Sequence, residues 1–453
     1  MASKKKTSVG KTVLVSIIAL VLGVLIGYLV GNVYTSNDLE FYLVGNANTN
    51  IGLGSEYKEK GAVCNFRGTD YSSELEITYY NENKVEVPLI NTTTLTTYYI
   101  EYKIDNTKIT SKLTRVVNVV EFEDLEINFL MFEHSNAGDC IYIKAGDTDI
   151  LVDAGATKSD AAYIKEYLTD SDSTLHSYVE DNTLEYVIAT HAHEDHIAAF
   201  VGTKDDKGNR NGIFSEFAIE TLIDFPKSEG KSVLYSEYQE EVNKLISSGT
   251  KKYTALECYN NENGASRIIE VAAGIEIEIL YNYYYENETD NENNYSVCFM
   301  LRRGEEQYLF TGDLEGEGEE YLVQNNNLGK VYLYKAGHHG SKTSSSEELL
   351  STIKPEVVVI TCAAFTKEYT KNLDNVFPTT DAINNLAKHV KHLYVSRMLS
   401  KDGEKFSLQE TVPANGHVVM FANANGTYIN CSHSNEDFYN FEIFKKYRSW
   451  TTN

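Results

Sequence analysis

The residues best suited to chemistry lie together in the segment THAHEDH, residues 190–196. His191, His193, Asp195 and His196 bring imidazole and carboxylate groups together within a few positions of one another. These groups are common protein ligands of zinc and manganese. Because alternate residues of an extended segment point to the same side, we expect the first two histidines to face one way. The other two ligands would lie on the turn that follows, so the segment predicts a site for one or two divalent metal ions.

Two later strand-like segments end in residues of the same types. EEQYLF is followed by TGD, which ends at Asp313, and VYLYKAG is followed by His338 and His339. The apolar segment LEYVIAT runs directly into the histidine cluster. Ligands of open α/β sheets bind where strands end. We therefore expect Asp313 and the two late histidines to lie beside the cluster at one edge of a sheet.

A layered α/β domain is expected to position these residues. The strand-like segments LEINFLMFE, DCIYIKA and TDILVD come first, and strands then alternate with helical stretches. We place this domain at residues 125–433 and treat residues 434–453 as a C-terminal tail. The acidic segment EGEGEE, after Asp313, is interpreted as a solvated loop.

A different pattern fills residues 37–120, where short runs rich in tyrosine, valine and threonine alternate with Asn, Gly and Asp. This spacing predicts antiparallel strands in a β-sandwich. The phrases LGSEYKEKGA, YYIEYKI and TRVVNVV resemble bacterial Ig-like repeats of surface proteins. The resemblance implies a spacer or adhesive module, and no residue in it suggests chemistry.

Residues 12–31 carry no charge and predict a transmembrane anchor. At about 1.5 Å per residue the segment nearly spans a hydrocarbon core of about 30 Å. The basic residues before it are Lys4, Lys5, Lys6 and Lys11. By the positive-inside rule, residues 1–11 form a cytoplasmic tail and the rest of the chain lies outside the cell. A cleaved signal peptide is the alternative, but its apolar stretch is usually shorter.

Small residues recur within the predicted anchor, at Gly23, Gly27 and Gly31. Such a stripe can pair two membrane helices and would then make the protein a homodimer. Glycine is also frequent in membrane helices without any pairing role. Both interpretations of the stripe stay open.

Composition excludes some functions. The chain of 453 residues has a formal net charge of −26, which argues against a broad basic surface that grips nucleic acid. Its six cysteines lie far apart without a CxxC pair. Neither a zinc ribbon nor a dense disulfide framework is indicated, and we expect free thiols.

The motifs, taken in order, resemble those of the metallo-β-lactamase superfamily. They are GDCIYIKAGDTDILVDAG, THAHEDH, NNYSV, LFTGDLE and KAGHHGSKTSS. Within the superfamily they are most similar to the extracellular hydrolase domain of ComEC-type competence proteins. The resemblance implies an α/β fold of the αββα-sandwich type, one or two bound zinc or manganese ions, and a hydrolytic activity.

The resemblance also implies roles for particular residues. The first group of metal ligands would be His191, His193, Asp195 and His196, with Asp313 bridging two ions and His338 as the late ligand. Asp153 would steady the histidine loop. His339 has three interpretations: a ligand in place of His338, a proton donor to the leaving group, or a packing residue.

The loop after these histidines has two interpretations. Ser341, Lys342 and Ser344 belong to a hydroxyl-rich segment with one cation, which suits contact with a phosphate. An ordinary polar loop explains the same composition.

The sequence departs from the superfamily pattern at two places. No histidine occurs between His196 and His338, where many members place a third histidine for the first metal. Asn294, Ser296 or water could fill that position, or the site holds one ion tightly and one weakly. The competence-type pattern usually has His-Pro where Phe377-Pro378 stands.

The resemblance leads to a metal-dependent extracellular phosphodiesterase, with DNA as the substrate class. Asp195 or Asp313 would orient the attacking water, and a histidine such as His339 would protonate the leaving oxygen. A second hypothesis is a phosphodiesterase that acts on phosphocholine-decorated teichoic acid of the cell envelope. A third is a surface binding or adhesion protein whose hydrolase site is weak or inactive.

Overall fold

The computed structural model describes residues 39–45, 47–55, 57–367, 370–402 and 405–451. The predicted cytoplasmic tail and transmembrane anchor, residues 1–31 with the three glycines, lie outside the described residues. Among the helices of the described part, none is long and apolar enough to cross a membrane. Contacts divide the chain into two compact units, Met1–Glu121 and Phe122–Asn453.

The strands in the described part of the first unit form two sheets. The strands are β1 Leu39–Leu43, β2 Asn48–Gly52, β3 Ala62–Phe66, β4 Thr69–Asp70, β5 Glu76–Tyr80, β6 Glu86–Val87, β7 Thr96–Asp105 and β8 Thr110–Val120. The sheet orders are β1-β3-β4 and β2-β8-β7-β5-β6. Neighbouring strands are antiparallel except β2, which runs parallel to β8.

Alternation along β7 explains how this unit forms a core. Tyr98, Ile100, Tyr102 and Ile104 are buried, while the residues between them are half-buried. A period of two places these four side chains on one face of the sheet. The two sheets share this apolar interior, since residues of β1 pack against it. The Ig-like nature of the unit stays a prediction.

The second unit contains the remaining strands. They are β9 Leu125–Phe129, β10 Ile141–Ala145, β11 Thr148–Val152, β12 Thr183–Ile188, β13 Ala218–Asp224, β14 Lys251–Thr254, β15 Ile268–Ala272, β16 Ile275–Ile279, β17 Phe299–Arg303, β18 Glu306–Phe310, β19 Leu333–Lys335, β20 Val357–Ala364, β21 His392–Asp402, β22 Lys405–Pro413, β23 Val418–Asn423 and β24 Gly426–Cys431. Over the described residues they form two eight-stranded sheets, ordered β14-β13-β12-β11-β10-β9-β23-β24 and β15-β16-β17-β18-β19-β20-β21-β22.

The α-helices of this unit are α1 Asp160–Thr169, α2 Glu194–Val201, α3 Ile213–Glu216, α4 Val233–Ser248, α5 Ala255–Asn260, α6 Gly316–Asn325, α7 Glu347–Ile353, α8 Thr380–Leu386 and α9 Glu442–Tyr447. Short 3₁₀ helices occupy Ser72–Glu74 in the first unit and Tyr283–Tyr285, Glu292–Tyr295, Gly337–Gly340 and Phe438–Asn440 in the second. The expectation of a solvated loop at EGEGEE is wrong, because this segment begins α6. Glu319 in it is fully buried and accepts hydrogen bonds of 2.7 Å from the backbone N–H groups of Ser345 and Ser346.

Alternate residues along the strands of the second sheet point to opposite faces, and both faces are apolar. Phe299 and Leu301 of β17 belong to a core shared with the first sheet, whereas Met300 between them faces the core that contains α6, α7 and α8. The rings of Phe129 on β9 and Phe310 on β18 stack with centroids 6.3 Å apart. The two sheets therefore pack face to face with helices outside, as an αββα sandwich requires.

No disulfide joins any two of the six cysteines, all of which lie within the described residues, as predicted, and five of them are buried. Burial raises the pKa of the Cys140 thiol well above its ordinary value, with Asp153 nearby adding to the shift. A buried thiol of this kind is a packing residue rather than a nucleophile.

The segment expected to form a tail from residue 434 onward packs part of its side chains into the second unit. Phe438 and Phe444 are buried in the core that contains α6, α7 and α8. Arg448 is 6% exposed, and its guanidinium donates to backbone carbonyls of the loop before α8. The acceptors are Leu373, Val376 and Pro378, at 2.8–3.0 Å. The segment thereby holds the loop that carries Phe377.

We expect Arg448→Ala to destabilise the second unit. The change leaves the buried carbonyls of Val376 and Pro378 unpaired, and at about 1–3 kcal/mol for each unsatisfied group the free energy of unfolding should fall by about 2–4 kcal/mol. Urea denaturation of the variant measures this loss. Arg448→Lys keeps the charge but loses the planar guanidinium, so it should recover only part of the stability. A loss below about 0.5 kcal/mol for Arg448→Ala, the usual range for surface changes, would contradict the assignment.

Candidate metal centre

Parallel strands deliver the candidate residues to one edge of the sandwich. β11 and β12 are parallel neighbours in the first sheet, and β18, β19 and β20 are parallel neighbours in the second. Asp153 follows β11 and the histidine segment follows β12. Asp313 follows β18, and His338 and His339 follow β19. The carboxyl ends of these strands therefore bring the motifs together, as the sequence predicts.

Four side chains converge at this edge. Asp195, His196, Asp313 and His339 each offer a ligand atom, and these atoms all lie within 4.8 Å of one another. The Nε2 atoms of His196 and His339 lie 3.2 Å and 3.4 Å from Asp313 Oδ2. His339 Nε2 is also 3.3 Å from Asp195 Oδ2. Asp195 is half-buried and the other three are buried, so the group forms a compact set of nitrogen and oxygen donors.

The unpaired atoms of this group fit a bound cation. Within the described residues, His196 Nε2, His339 Nε2 and Asp313 Oδ1 are buried and make no hydrogen bond. Each such atom costs about 1–3 kcal/mol. A divalent ion with mixed nitrogen and oxygen ligands would satisfy the two nitrogens, and Asp313 can offer a carboxylate oxygen to the same ion. The residues present therefore fit the metal that the sequence predicts.

The structure brings His339 into the group of four, whereas the sequence assigns the late ligand to His338. His339 Nδ1 lies 3.0 Å from the carbonyl oxygen of Thr361, which leaves Nε2 free to bind a metal. His338 Nδ1 instead lies 2.9 Å from Thr343 Oγ1 and 3.4 Å from Glu315 Oε1. Both histidines have left-handed backbones, with φ of 47° and 50°, and their rings diverge. The sequence could not reveal this rare conformation.

His191 and His193 form a second pair of donors beside the group. His191 Nε2 and His193 Nδ1 are 3.1 Å apart, and the ring of His191 lies 4.1 Å from that of His196. Burial lowers the pKa of His191 well below its ordinary value, and the neighbouring His196 lowers it further. A neutral imidazole has the free lone pair that a metal ion needs. The two histidines are alternate residues of one segment, and this spacing brings His191 Nε2 and His193 Nδ1 close together.

Asp153 occupies the predicted position beneath the histidine loop. Its carboxylate accepts hydrogen bonds of 2.7 Å from the backbone N–H and the hydroxyl of Thr190. Its Oδ2 also lies 2.7 Å from His196 Nδ1. This contact turns His196 Nε2 toward Asp313, so Asp153 fixes the ring that the metal would use.

Asp139 and Lys335 also belong to the centre, although the sequence did not single them out. Both are 1% exposed, and the Lys335 ammonium forms an ion pair with the Asp139 carboxylate. Asp139 Oδ1 lies 3.4 Å from His339 Nδ1, and Lys335 Nζ lies 3.6 Å from Asp313 Oδ1. The sequence signal that could have revealed this pair is the position of Lys335 at the end of the apolar strand β19. An unpaired charge there would be costly.

Opposing effects set the pKa values of the two buried histidines. Burial alone would lower the pKa of His196, but Asp313 and Asp153 outweigh it and raise the pKa well above its ordinary value. In the same way Asp313 and Asp139 overcome burial and raise the pKa of His339 to about 10. The carboxylates therefore favour a positive charge at this point, and a metal ion would displace the protons.

A cleft of about 640 Å³ opens over the group of four. Its lining includes Asn136, Thr157, Glu194, His338 and Phe377. The ring centroid of Phe377 lies 6.0 Å from that of His338 and 6.4 Å from that of His339. The position that departs from the competence-type His-Pro pattern therefore forms an apolar wall beside the centre.

The hydroxyl-rich loop has internal partners. Ser344, which is buried, donates to the carbonyl oxygen of Leu314 at 2.7 Å. Ser341 is also buried and lies 3.0 Å from Thr343 Oγ1. Lys342 is exposed. The described residues that line the cleft include none of Ser341, Lys342 and Ser344, and the loop contacts the His338 ring through Thr343.

Asn294 and Ser296, the two expected substitutes for a third histidine, are also engaged. Asn294 Oδ1 accepts a hydrogen bond of 3.2 Å from the backbone N–H of Glu315. Ser296 Oγ accepts one of 3.1 Å from the N–H of Asp313 and lies 3.5 Å from His191 Nδ1. Both side chains position neighbours of the centre.

Comparison with known proteins agrees with this geometry. Residues 136–232 match a family model described as "Metallo-beta-lactamase superfamily". The matched segment lies in the second unit, and the metallo-β-lactamase-type α/β fold predicted from the motifs is confirmed. The match includes the histidine segment but ends before Asp313.

Curated relatives point to the competence type, among them "Competence protein ComA" of Neisseria gonorrhoeae, which is 38% identical over 88 residues, or 19% of this chain and 12% of that protein. "Recombination protein 2" of Haemophilus influenzae is 37% identical over 87 residues, which cover 19% of this chain and 10% of that protein. "ComE operon protein 3" of Bacillus subtilis is 27% identical over 182 residues, or 39% and 20% of the two chains. The resemblance to a ComEC-type hydrolase domain is thus confirmed, while the chain spans only about a tenth to a fifth of the length of these relatives.

Among solved structures, the metallo-β-lactamase fold protein YhfI of Bacillus subtilis is similar over 64% of this chain and 100% of that one. The TM-score is 0.35 and the sequence identity is 12%.

We expect Lys335→Met to destabilise the metal-free protein, because it leaves the Asp139 carboxylate buried without its partner. Breaking a buried ion pair typically costs about 3–5 kcal/mol, and urea denaturation in the presence of a chelator measures it. The double variant Asp139→Asn/Lys335→Met removes both charges, so its loss should be smaller than the sum of the two single losses. Additive losses would mean that the two groups do not depend on each other.

Proposed function

We propose that this chain is a membrane-anchored, extracellular, metal-dependent phosphodiesterase that acts on nucleic acid. The observation that carries the proposal is the group Asp195, His196, Asp313 and His339 at the base of an open cleft, with buried donor atoms left unpaired. Buried polar atoms that serve only in packing are normally paired. Unpaired donor atoms beside a cleft therefore favour a metal site that supports hydrolysis. Metal-dependent hydrolysis is the activity that the superfamily match supports.

The four residues of the group would hold one divalent ion, with His191 and His193 contributing to a second. When bound, such an ion lowers the pKa of a water molecule to about 7 and stabilises the negative charge that develops during hydrolysis. Asp195 is half-buried and lines the cleft. Its carboxylate can therefore orient the attacking water as well as bind the metal.

His338 is the residue we assign to protonate the leaving oxygen, in place of His339. Both ring nitrogens of His339 face protein or metal-binding groups. His338 lines the cleft, and its Nδ1 is held by Thr343 and lies near Glu315. The opposite nitrogen of His338 is then the one available to a substrate, and Glu315 can balance the charge of the protonated ring.

The relatives named for recombination and competence support nucleic acid as the substrate. The uncharged segment at residues 12–31, preceded by lysines, supports an anchor with the second unit outside the cell. A homodimer through the glycine stripe of this segment is part of the same proposal. Because the net charge of the chain is −26, the positive charge that attracts the phosphate would come from the catalytic cations.

One observation favours a second substrate, a phosphocholine ester of the cell envelope. Phe377 forms an apolar wall of the cleft beside His338. An aromatic face binds a quaternary ammonium group through a cation–π contact. Release of choline from cell walls, without cleavage of DNA, would favour this alternative. An adhesion protein with an inactive centre would show neither activity.

His196→Ala should abolish metal-dependent hydrolysis, because His196 belongs to the group of four and contacts Asp313. We expect a loss of about 100-fold or more, as for removal of a direct metal ligand or its support, measured with bis(p-nitrophenyl) phosphate and single-stranded DNA plus manganese or zinc. His389→Ala is the matched control, since His389 pairs with Glu347 away from the cleft. A His196→Ala variant as active as the parent would refute the proposal.

His338→Gln should discriminate between substrates by their leaving groups. A DNA leaving group needs a proton, so its cleavage should slow by about 10²–10⁴-fold, the usual contribution of acid–base catalysis. The p-nitrophenolate group leaves without protonation, so cleavage of bis(p-nitrophenyl) phosphate should slow much less. Equal losses on both substrates would assign His338 a structural role.

A further inference from the structure

His191 and His193 present an incomplete metal site. Their facing nitrogens are 3.1 Å apart, yet neither belongs to a group of three or more His, Cys, Asp or Glu ligands among the described residues. Two imidazoles rarely hold a divalent ion alone, since zinc takes three or four protein ligands and manganese takes more donors. A further donor has to come from another residue type.

The 3₁₀ helix Glu292–Tyr295 runs alongside this pair. The backbone N–H of Ala192, between the two histidines, donates to Glu292 Oε1 at 3.4 Å. After the helix, Ser296 Oγ lies 3.5 Å from His191 Nδ1, and the N–H of Val297 donates to the carbonyl oxygen of Thr190 at 2.9 Å. The segment is therefore fixed against residues 190–192 at both ends, with Asn293 between the two contacts.

Asn293 has the one unexplained polar atom of this segment within the described residues. The side chain is 5% exposed, and its Nδ2 donates to Glu315 Oε1 at 3.0 Å and lies 3.5 Å from His338 Nδ1. Its Oδ1 is buried without a hydrogen-bond partner. The carboxylate of Glu315 fixes the amide orientation, because only the NH₂ group can donate to it. The carbonyl oxygen is therefore turned away from Glu315 and costs about 1–3 kcal/mol while unpaired.

We propose that Asn293 Oδ1 is the third protein ligand of an ion bound by His191 and His193, so that the chain holds two divalent ions in neighbouring sites. The inference deepens the proposed function, since it completes the same centre. Asn294 and Ser296 fit the third position less well, because one lone pair of each oxygen atom already accepts a hydrogen bond, whereas Asn293 Oδ1 accepts none. An amide oxygen is a harder and weaker donor than an imidazole. The second ion therefore binds more weakly than the ion at Asp195, His196, Asp313 and His339, and manganese is favoured there relative to an all-histidine site.

The test is metal binding by the full chain in detergent, independent of turnover. Chelator competition and elemental analysis give the number and affinity of bound manganese ions, and electron paramagnetic resonance reports whether two ions are close enough to couple. We expect two coupled ions in the parent. Asn293→Ala should weaken the second ion at least tenfold, the usual effect of losing a supporting ligand, and leave the first unchanged. Asn293→His should restore two ions and shift the preference toward zinc.

The matched control is Asn287→Ala, which changes a half-buried asparagine whose amide donates to the carbonyl oxygen of Tyr283. It should bind both ions like the parent. Two coupled ions in Asn293→Ala with parental affinities would overturn the inference, as would a single uncoupled ion in the parent, a result that needs no variant to fold. In the latter case hydrolysis with one ion would leave the proposed function standing, whereas absence of any bound ion would refute both.

Discussion

The carboxylate of Asp313 is 1% exposed, and the arrangement of the centre follows from that burial. An unpaired buried carboxylate costs several kcal/mol, so positive charge has to surround it. His196 and His339 approach one oxygen, and Lys335 lies 3.6 Å from the other. These neighbours hold the pKa of Asp313 well below its ordinary value against the effect of burial. A metal ion bound between the same groups would take over most of that compensation.

The backbone beside Asp313 also brings this carboxylate close to the histidine segment. Gly312 has a φ of 53°, and a Cβ atom there would lie 2.8 Å from Ser296 Oγ and 3.0 Å from Thr190 Cβ. Only glycine fits this position, so the turn after β18 can approach the histidine segment closely. Ser296 then receives the N–H of Asp313, and Thr190 is held by Asp153. Residues that are not themselves ligands thus determine the positions of the ligands.

The sequence predicted the layered α/β fold and the strand ends that carry the motifs, because metal-ligand residues at strand ends are a local signal. It could not decide between His338 and His339, since that choice depends on two consecutive left-handed residues. The roles of Asp139 and Lys335 could not be predicted because they depend on an ion pair between segments that are distant in the sequence. The burial of Glu319 and Arg448 is likewise a tertiary effect that overrides the polar character of each residue.

We assign the more tightly bound ion to Asp195, His196, Asp313 and His339. Anomalous diffraction from crystals soaked with zinc or manganese tests this assignment. We expect the strongest anomalous peak about 2.0–2.2 Å from one nitrogen or oxygen of each of these residues, with the His338 ring outside that distance. A strongest peak coordinated by His338, or no peak at the four residues, would contradict it.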